Sequence, residues 1–214
     1  MRNKFDMQLD SLKEQLTTMG ELCEVAITKA TEAILEGKEE QAREVIQADE
    51  EIDQAEKDIE RLCLRLLLQQ QPVAKDLRQI SAALKMITDM ERIGDQAADV
   101  AEIVTMLSGG HEGEFPQIQE MGGETVKMVR GAIDAFVRRD LTLAEWVIDM
   151  DDKVDGLFVA AKDALIELLR RDAGAGELAL DLLMISKYLE RIGDHAVNIA
   201  EWVVFAITGV HKEG

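Results

Sequence analysis

The sequence has little proline, cysteine or aromatic content. Its 214 residues include 2 Pro, 2 Cys and only 4% aromatics, while Ala, Leu, Glu and Lys are abundant. That balance favours an all-α protein, because few residues interrupt helices. Cys23 and Cys63 have neither a CxxC spacing nor a nearby histidine, and both stand among apolar helical neighbours. They are predicted to be reduced residues of the core.

Positive charge is also scarce. Lys and Arg number 24 against 43 Asp and Glu, which gives a formal net charge of −19. A basic footprint is needed to hold phosphate groups, so this charge argues against unassisted binding to nucleic acid or to an anionic membrane. It favours cations, or basic surfaces on partner proteins, as ligands.

Long apolar runs are missing as well. The longest, around residues 202–207, is far shorter than the ~18–20 residues of a membrane-spanning helix. The first seven residues contain no apolar segment of the kind that a secretory signal requires. The sequence therefore predicts a cytoplasmic protein that does not insert into a membrane.

Apolar residues recur at spacings of three and four almost throughout, and the few helix breakers mark the joints. Gly37 predicts the end of a first helix, and Pro72 separates a second from a third. Residues 108–116 are the densest group of breakers and predict a linker. The predicted organisation is a first three-helix bundle over 1–108, a linker over 109–117 and a second bundle over 118–214. In the second bundle, helices are expected at roughly 118–138, 140–171 and 176–208, with Asp140 as an N-cap.

The two halves repeat. Shifting the first half by 102 residues superposes Asp49 on Asp151 and Asp53 on Asp155, and a shift of 99 superposes residues 91–102 on 190–201. In that last segment 8 of 12 positions are identical. Two antiparallel three-helix bundles, produced by tandem duplication, are therefore expected.

Acidic residues four apart recur on one predicted face of each repeat. On a helical wheel, Asp95, Asp99 and Glu102 fall within about 80° of Glu91, on the side where apolar residues pack earlier in the same helix. Carboxylates so placed repel one another, and a hard cation with oxygen ligands would offset that repulsion. The predicted metal ligands are Asp49, Asp53, Glu91, Asp95, Asp151, Asp155, Glu190 and Asp194, with Asp99, Asn198, Glu102 and Glu201 as weaker additions.

Other interpretations of this face remain open. Acidic faces are commonly solvated or paired with basic side chains, although Arg92 and Arg191 lie about 100° from the acids on the wheel, which predicts poor pairing. Gly94 and Gly193 indicate either close helix packing or close approach to a metal cluster. His195 is matched by Gln96 in the first repeat and is predicted to be a polar surface residue.

Patterns of known catalytic chemistry are absent. The sequence has no nucleotide-binding glycine loop, no H-E-x-x-H motif, no E-x-x-H pair and no nucleophile beside a plausible base. An enzyme is therefore not expected. The enzymatic alternative is a carboxylate-bridged di-metal oxidase or hydrolase in a helical bundle, and a third possibility is a structural dimer with solvated acids. Oxygen ligands permit Mg²⁺, Mn²⁺, Ca²⁺ or Fe and disfavour Zn²⁺.

Three segments resemble the PhoU family of bacterial phosphate-uptake regulators. They are Gln71-Pro-Val-Ala-Lys-Asp-Leu-Arg78, Asp89-Met-Glu-Arg-Ile-Gly-Asp95 and Leu189-Glu-Arg-Ile-Gly-Asp-His-Ala-Val-Asn-Ile-Ala-Glu201. The resemblance extends over essentially the whole chain. It implies two similar three-helix bundles, with multinuclear metal clusters bound at (E/D)-x-x-x-D motifs. Asn198 opposite Asp99 departs from strict duplication and implies two sites of different charge.

The resemblance also implies a function. A chain of this family would be a non-enzymatic negative regulator of the phosphate-starvation response. It would couple the ATPase subunit of the phosphate ABC transporter to a membrane sensor histidine kinase, and a homodimer is expected.

Overall fold

The computed structural model describes residues 2–69, 73–107 and 115–210, and within these ranges the regular structure is helical. Pro72, most of the predicted linker, His111 and His211 lie outside them. The described helices are α1 (Arg2–Glu36), α2 (Glu39–Gln69), α3 (Ala74–Met106), α4 (Pro116–Arg138), α5 (Leu141–Asp149), α6 (Asp151–Arg171) and α7 (Gly176–Thr208), with a single 3-10 turn at Ala173–Ala175. The expected all-α class is confirmed.

Short-range hydrogen bonds and backbone conformation explain where several helices begin or end. Gly37 follows α1 with φ 62°, a left-handed conformation that glycine adopts without steric cost. The Asp140 carboxylate accepts a hydrogen bond from the Leu143 backbone N–H at 3.0 Å, which confirms the predicted N-cap. Asp172 does the same for Gly174 at 2.8 Å, at the turn that precedes α7.

The predicted helix over 140–171 is interrupted at Met150. Met150 itself keeps a right-handed helical backbone, and its N–H bonds to Trp146 O at 3.1 Å while its O accepts from Lys153 N–H at 3.1 Å. Asp149, Asp151 and Asp152 surround the break. Aspartate is a poor residue inside a helix and a favourable one in its first turn, which explains why a new helix begins at Asp151.

Each repeat forms a three-helix bundle, α1–α3 in the first and α4–α7 in the second, with α5 and α6 together acting as one arm. The bundles pack through α3 against α7 and α1 against α4. One continuous apolar core includes residues of both bundles. Consequently the outer helices α2 and α6 each flank a central pair formed by α3 and α7.

The core accommodates both cysteines as apolar residues. Cys23 and Cys63 are free and fully buried, and burial raises the pKa of each thiol to about 12. The prediction of reduced core residues is therefore confirmed. Along the described part of the chain, no helix is long and apolar enough to span a membrane.

Candidate metal centres

The first acidic cluster lies where α2 meets α3. Asp49 and Asp53 come from α2, and Glu91 and Asp95 from α3. The two helices are so close that a Cβ placed on Gly94 would lie 2.9 Å from Asp49 Oδ1 and 2.9 Å from Ile52 Cδ1. A glycine at this position therefore lets the Asp49 carboxylate reach the backbone of α3, which agrees with the predicted close helix packing; close approach to a metal cluster stays a prediction.

Desolvation and neighbouring carboxylates raise the pKa of two acids in the first cluster, Asp49 and Glu91. Desolvation, followed by the charges of Asp95, Asp53 and Asp99, raises the pKa of Asp49 to about 6. The pKa of Glu91 is also raised, chiefly by desolvation and by Asp95. The raised pKa values indicate that the basic side chains of the protein do not fully balance the negative charge of this site.

Basic side chains balance part of this charge, contrary to the sequence expectation. Arg92 Nη1 lies 3.1 Å from Asp95 Oδ2, and Arg92 Nε lies 3.6 Å from Glu91 Oε2. Lys57 Nζ lies 3.4 Å from Asp53 Oδ2. The expectation that Arg92 is a poor partner was wrong, because its long side chain spans the angular offset that separates its Cα from the acids.

The second acidic cluster occupies the equivalent place between α6 and α7. Asp151 and Asp155 come from α6, and Glu190 and Asp194 from α7. Desolvation, followed by the charges of Asp155, Asp194, Asp152 and Glu190, raises the pKa of Asp151 to about 6. The pKa of Asp194 is raised by desolvation and Glu190, while Lys187 opposes that rise. Both predicted quartets are thus brought together by the fold.

The surroundings of the two clusters differ. The Lys187 ammonium pairs with Glu190 and lies 5.5 Å from the centre of the Phe158 ring. A Cβ on Gly193 would meet its nearest neighbour, Val154 Cγ1, at 3.4 Å, an ordinary contact distance. The close approach seen at Gly94 is therefore specific to the first repeat.

Asp99 and Asn198 take part in the contact between α3 and α7. Desolvation and the Glu102 charge raise the pKa of Asp99, and the neighbouring Tyr188 hydroxyl opposes that rise. Asn198 Nδ2 donates to Asp89 Oδ1 at 3.1 Å, and His195 Nδ1 lies 2.9 Å from the same oxygen. Since Asp89 pairs with residues near 195–198 and Asp99 with residue 188, the two helices run antiparallel.

Glu102 and Glu201, the two weaker predicted ligands that remain, lie farther along α3 and α7. Glu102 contributes to the raised pKa of Asp99, and Glu201 is half-buried in α7, one turn beyond Asn198. His195 is a partly buried partner of Asp89 and not the surface residue that the sequence predicted. The duplication carried a signal for this contact, because a shift of 99 relates Asp89 to Tyr188 and Asp99 to Asn198.

The described residues do not already form a metal cage. In residues 2–69, 73–107 and 115–210, no three or more His, Cys, Asp or Glu side chains are arranged so that they could hold a metal ion. The four acids of each quartet share a helix–helix groove, where most of their direct partners are lysine and arginine.

The fold and these grooves define an all-α protein with a duplicated three-helix unit and a carboxylate cluster in each copy. The PhoU domain model matches residues 16–104 and 118–203, one match in each repeat. The phosphate-specific transport system accessory protein PhoU homologue of Clostridium acetobutylicum is 36% identical over 97% of this chain and 96% of its own length. The chain belongs to the PhoU family.

Solved structures agree with this assignment. PhoU from Pseudomonas aeruginosa superposes with a TM-score of 0.88 at 36% identity, covering 96% of this chain and 100% of that one. The phosphate transport system regulatory protein PhoU from Streptococcus pneumoniae superposes with a TM-score of 0.90 at 29% identity, covering 98% of this chain and 99% of that one. The resemblance noted from the ERIGD segments is confirmed.

Proposed function

We propose that this chain is a non-enzymatic, cation-binding regulator that restrains phosphate uptake when phosphate is plentiful. Its relatives in C. acetobutylicum and P. aeruginosa are named accessory proteins of the phosphate-specific transport system. The observation that carries the cation part of the proposal is the pair of acidic grooves, in which Asp49 and Asp151 each have a pKa raised to about 6.

The side chains of each groove are the right ligand type for a hard divalent cation, and the described carboxylates would have to rearrange to hold one. Every quartet side chain offers only carboxylate oxygen, the ligand that Mg²⁺, Mn²⁺ and Ca²⁺ prefer and that iron also accepts. In the first repeat, the missing side chain at Gly94 leaves room for the Asp49 carboxylate beside α3. Asp49 and Asp53 would bind from α2, and Glu91 and Asp95 from α3. A bound cation would supply the positive charge that offsets their repulsion.

Binding requires some of the present ion pairs to open. Arg92 and Lys57 retain exposed side chains, at 56% and 52% of their full accessibility, so both can turn into solvent at small cost. The acids themselves are anchored on rigid helices. The effect of binding would be to draw α2 towards α3, and α6 towards α7, and so to fix the outer surface of each bundle.

That fixed surface is the proposed site of regulation. The partners are the ATPase subunit of the phosphate transporter and a membrane sensor histidine kinase, reached from the cytoplasm by a homodimer of this chain. A net charge of −19 favours basic partner surfaces, and cations bound in the grooves would reduce the repulsion from acidic ones.

The test compares purified protein with and without divalent cations. With Mn²⁺ or Mg²⁺ we expect a higher melting temperature and tighter binding to the purified transporter ATPase than in chelator. Glu91→Gln/Glu190→Gln should abolish both differences, while the exposed pair Glu14→Gln/Glu145→Gln should preserve them. Equal melting temperature and equal partner binding in all conditions would contradict the proposal. Turnover of O₂ or phosphoesters by metal-loaded protein would support the di-metal enzyme instead.

A further inference from the structure

One end of the first bundle exposes a group of large apolar side chains. Lys29 Nζ pairs with Glu44 Oε2 at 2.9 Å, so α1 and α2 are antiparallel, and the start of α1 lies beside the end of α2 and the start of α3. Five apolar residues at this end are between 45% and 86% exposed, and together they are called the apolar tip: Met7, Leu64, Leu68, Val73 and Leu77. An apolar surface drawn from three helix ends is a candidate for contact with another surface.

Basic side chains surround the apolar tip, although the chain as a whole is acidic. The last nine residues of α2 and the first seven of α3 contain four Lys or Arg and one acid, Asp76, whereas the net charge of the chain is −19. Three of the four bases are exposed, namely Arg61, Arg65 and Lys75. The fourth, Arg78, lies against the end of α7.

The exposed bases are weakly engaged within the chain. Arg61 Nη1 lies 3.1 Å from Asp58 Oδ1, but both side chains are more than half exposed, so the pair is weak and screened by salt. Arg65 and Lys75 form no ion pair with any other described residue. Their positive charge is therefore available to an anionic partner.

The second repeat reverses this charge at its equivalent end. Under the shifts of 102 and 99, three bases are replaced by acids: Arg61 by Asp163, Arg65 by Glu167 and Arg78 by Glu177. The bases of that end, Arg170 and Arg171, both pair with Glu167, at 3.4 and 3.3 Å. The two ends of the duplicated fold thus differ in charge, and the apolar tip stands at the basic one.

The net negative charge of the chain does not keep this end away from an anionic surface. Asp53, the acid of the first quartet closest to Arg65 along α2, is about 18 Å away at 1.5 Å per residue. The Debye length at physiological ionic strength is about 8 Å, so the charges of the groove are largely screened at the tip. Negative charge elsewhere repels the rest of the molecule and turns the basic end towards the surface.

We propose that the apolar tip docks this protein on the surface of a lipid bilayer that contains anionic headgroups. The apolar side chains of the tip enter the headgroup region, and Arg61, Arg65 and Lys75 contact lipid phosphates. This is a peripheral contact, since no helix of the described chain is long and apolar enough to span a membrane. The inference does not depend on cations in the acidic grooves.

A bilayer covers this end better than an acidic helix of a partner protein does. A groove of about 800 Å³ between α1 and α2 adjoins the tip, and its described lining includes Arg61, Leu64 and Arg65 but not the other tip residues. A helix bound in that groove would leave Leu68 and Val73, the first of them 86% exposed, in water. A flat lipid surface covers all of the tip at once.

The test is sedimentation of the full chain with lipid vesicles. Vesicles with equal parts of phosphatidylcholine and phosphatidylglycerol should bind the protein at least about tenfold more tightly than vesicles of phosphatidylcholine alone. Binding should weaken as salt is raised, because salt screens the attraction between basic side chains and headgroups. Equal binding to both kinds of vesicle, or binding to neither at low salt, would overturn the proposal.

Substitutions then test the tip itself. Arg65→Ser/Lys75→Ser should weaken binding to the anionic vesicles about tenfold, and Leu68→Ser about fivefold. Arg170→Ser/Arg171→Ser is the matched control, because it removes the same charge from exposed positions at the equivalent end of the second repeat, and it should leave binding unchanged. An equal loss in the control would overturn the role of the tip.

A charge-conserving exchange and a protein-binding measurement distinguish the possible occupants. Arg65→Lys/Lys75→Arg should keep vesicle binding, because a headgroup surface requires charge and no fixed donor geometry. Binding to the purified transporter ATPase is measured without lipid. Loss of vesicle binding in Arg65→Ser/Lys75→Ser with unchanged ATPase affinity would support the proposal. Weaker ATPase binding in a protein that never binds vesicles would identify a protein-docking surface and overturn it. Neither result changes the cation test of the proposed function, which contains no lipid.

Discussion

Gly94 and Gly193 occupy the same place in the two repeats and face different neighbours. The Asp49 and Ile52 side chains fill the space beside Gly94, whereas Gly193 has room for a methyl group. The sequence made the two glycines look alike, because each follows an identical Glu-Arg-Ile. Only the partner helix, which comes from a distant part of the chain, distinguishes them.

Alanine at these two positions should have opposite effects. Gly94→Ala is expected to lower the free energy of unfolding by about 1–3 kcal/mol, since the new methyl must displace Asp49 and Ile52. Gly193→Ala should be neutral or stabilising by up to ~1 kcal/mol, through better helix propensity. Urea denaturation of both variants measures the contrast, and a loss of equal size in the two would show that the close approach is not real.

At the scale of elements, the contact between α3 and α7 joins the two repeats. Its polar members are paired by the duplication: Asp89 meets Asn198 and His195, and its counterpart Tyr188 meets Asp99. The helices were predicted from apolar periodicity and from helix breakers, and an apolar stripe indicates that a face is buried. The pattern carried no information about which helix covers the face, and the roles of Asp89 and His195 were missed for that reason.

Removing the Asp89 carboxylate should loosen this contact. Asp89→Ala leaves His195 and Asn198 without their acceptor, and we expect a loss of about 1–3 kcal/mol in the free energy of unfolding. Asp163→Ala, an exposed position on α6, serves as the control and should change stability by less than about 0.5 kcal/mol. Equal stabilities of the two variants in urea denaturation would argue that Asp89 does not stabilise the contact between α3 and α7.

For the whole molecule, the two grooves make the free energy of unfolding fall as the pH rises, because two of their aspartates have raised pKa values. Asp49 and Asp151 have folded-state pKa values of about 6, above the usual ~3.9 of an unfolded aspartate. A raised pKa means that folding favours the protonated form. The stability linked to these groups is therefore fully present below about pH 4 and is lost as the pH rises through about 6.

In chelator, the melting temperature should fall between pH 5 and pH 7 by more in the native chain than in Asp49→Asn/Asp151→Asn. Saturating Mn²⁺ should reduce that fall, because it stabilises the ionised carboxylates. Glu124 does not interfere in this range, because Lys127 and Lys153 hold its pKa below the usual value despite desolvation. Parallel pH profiles for the two proteins would contradict the assignment of the shifts to Asp49 and Asp151.

The sequence by itself determined the helices and the pairing of acids four residues apart, because these depend on residues close together in the chain. It also determined the duplication, because two segments about 100 residues apart can be compared directly. Gly37 and Asp140 ended and began helices as predicted, since capping is a property of a few neighbouring residues. The tertiary structure alone decided that Arg92 pairs with Asp95, that Lys187 enters one groove, and that α3 meets α7. Those outcomes depend on side-chain reach and on contacts between distant segments, which helical periodicity does not encode.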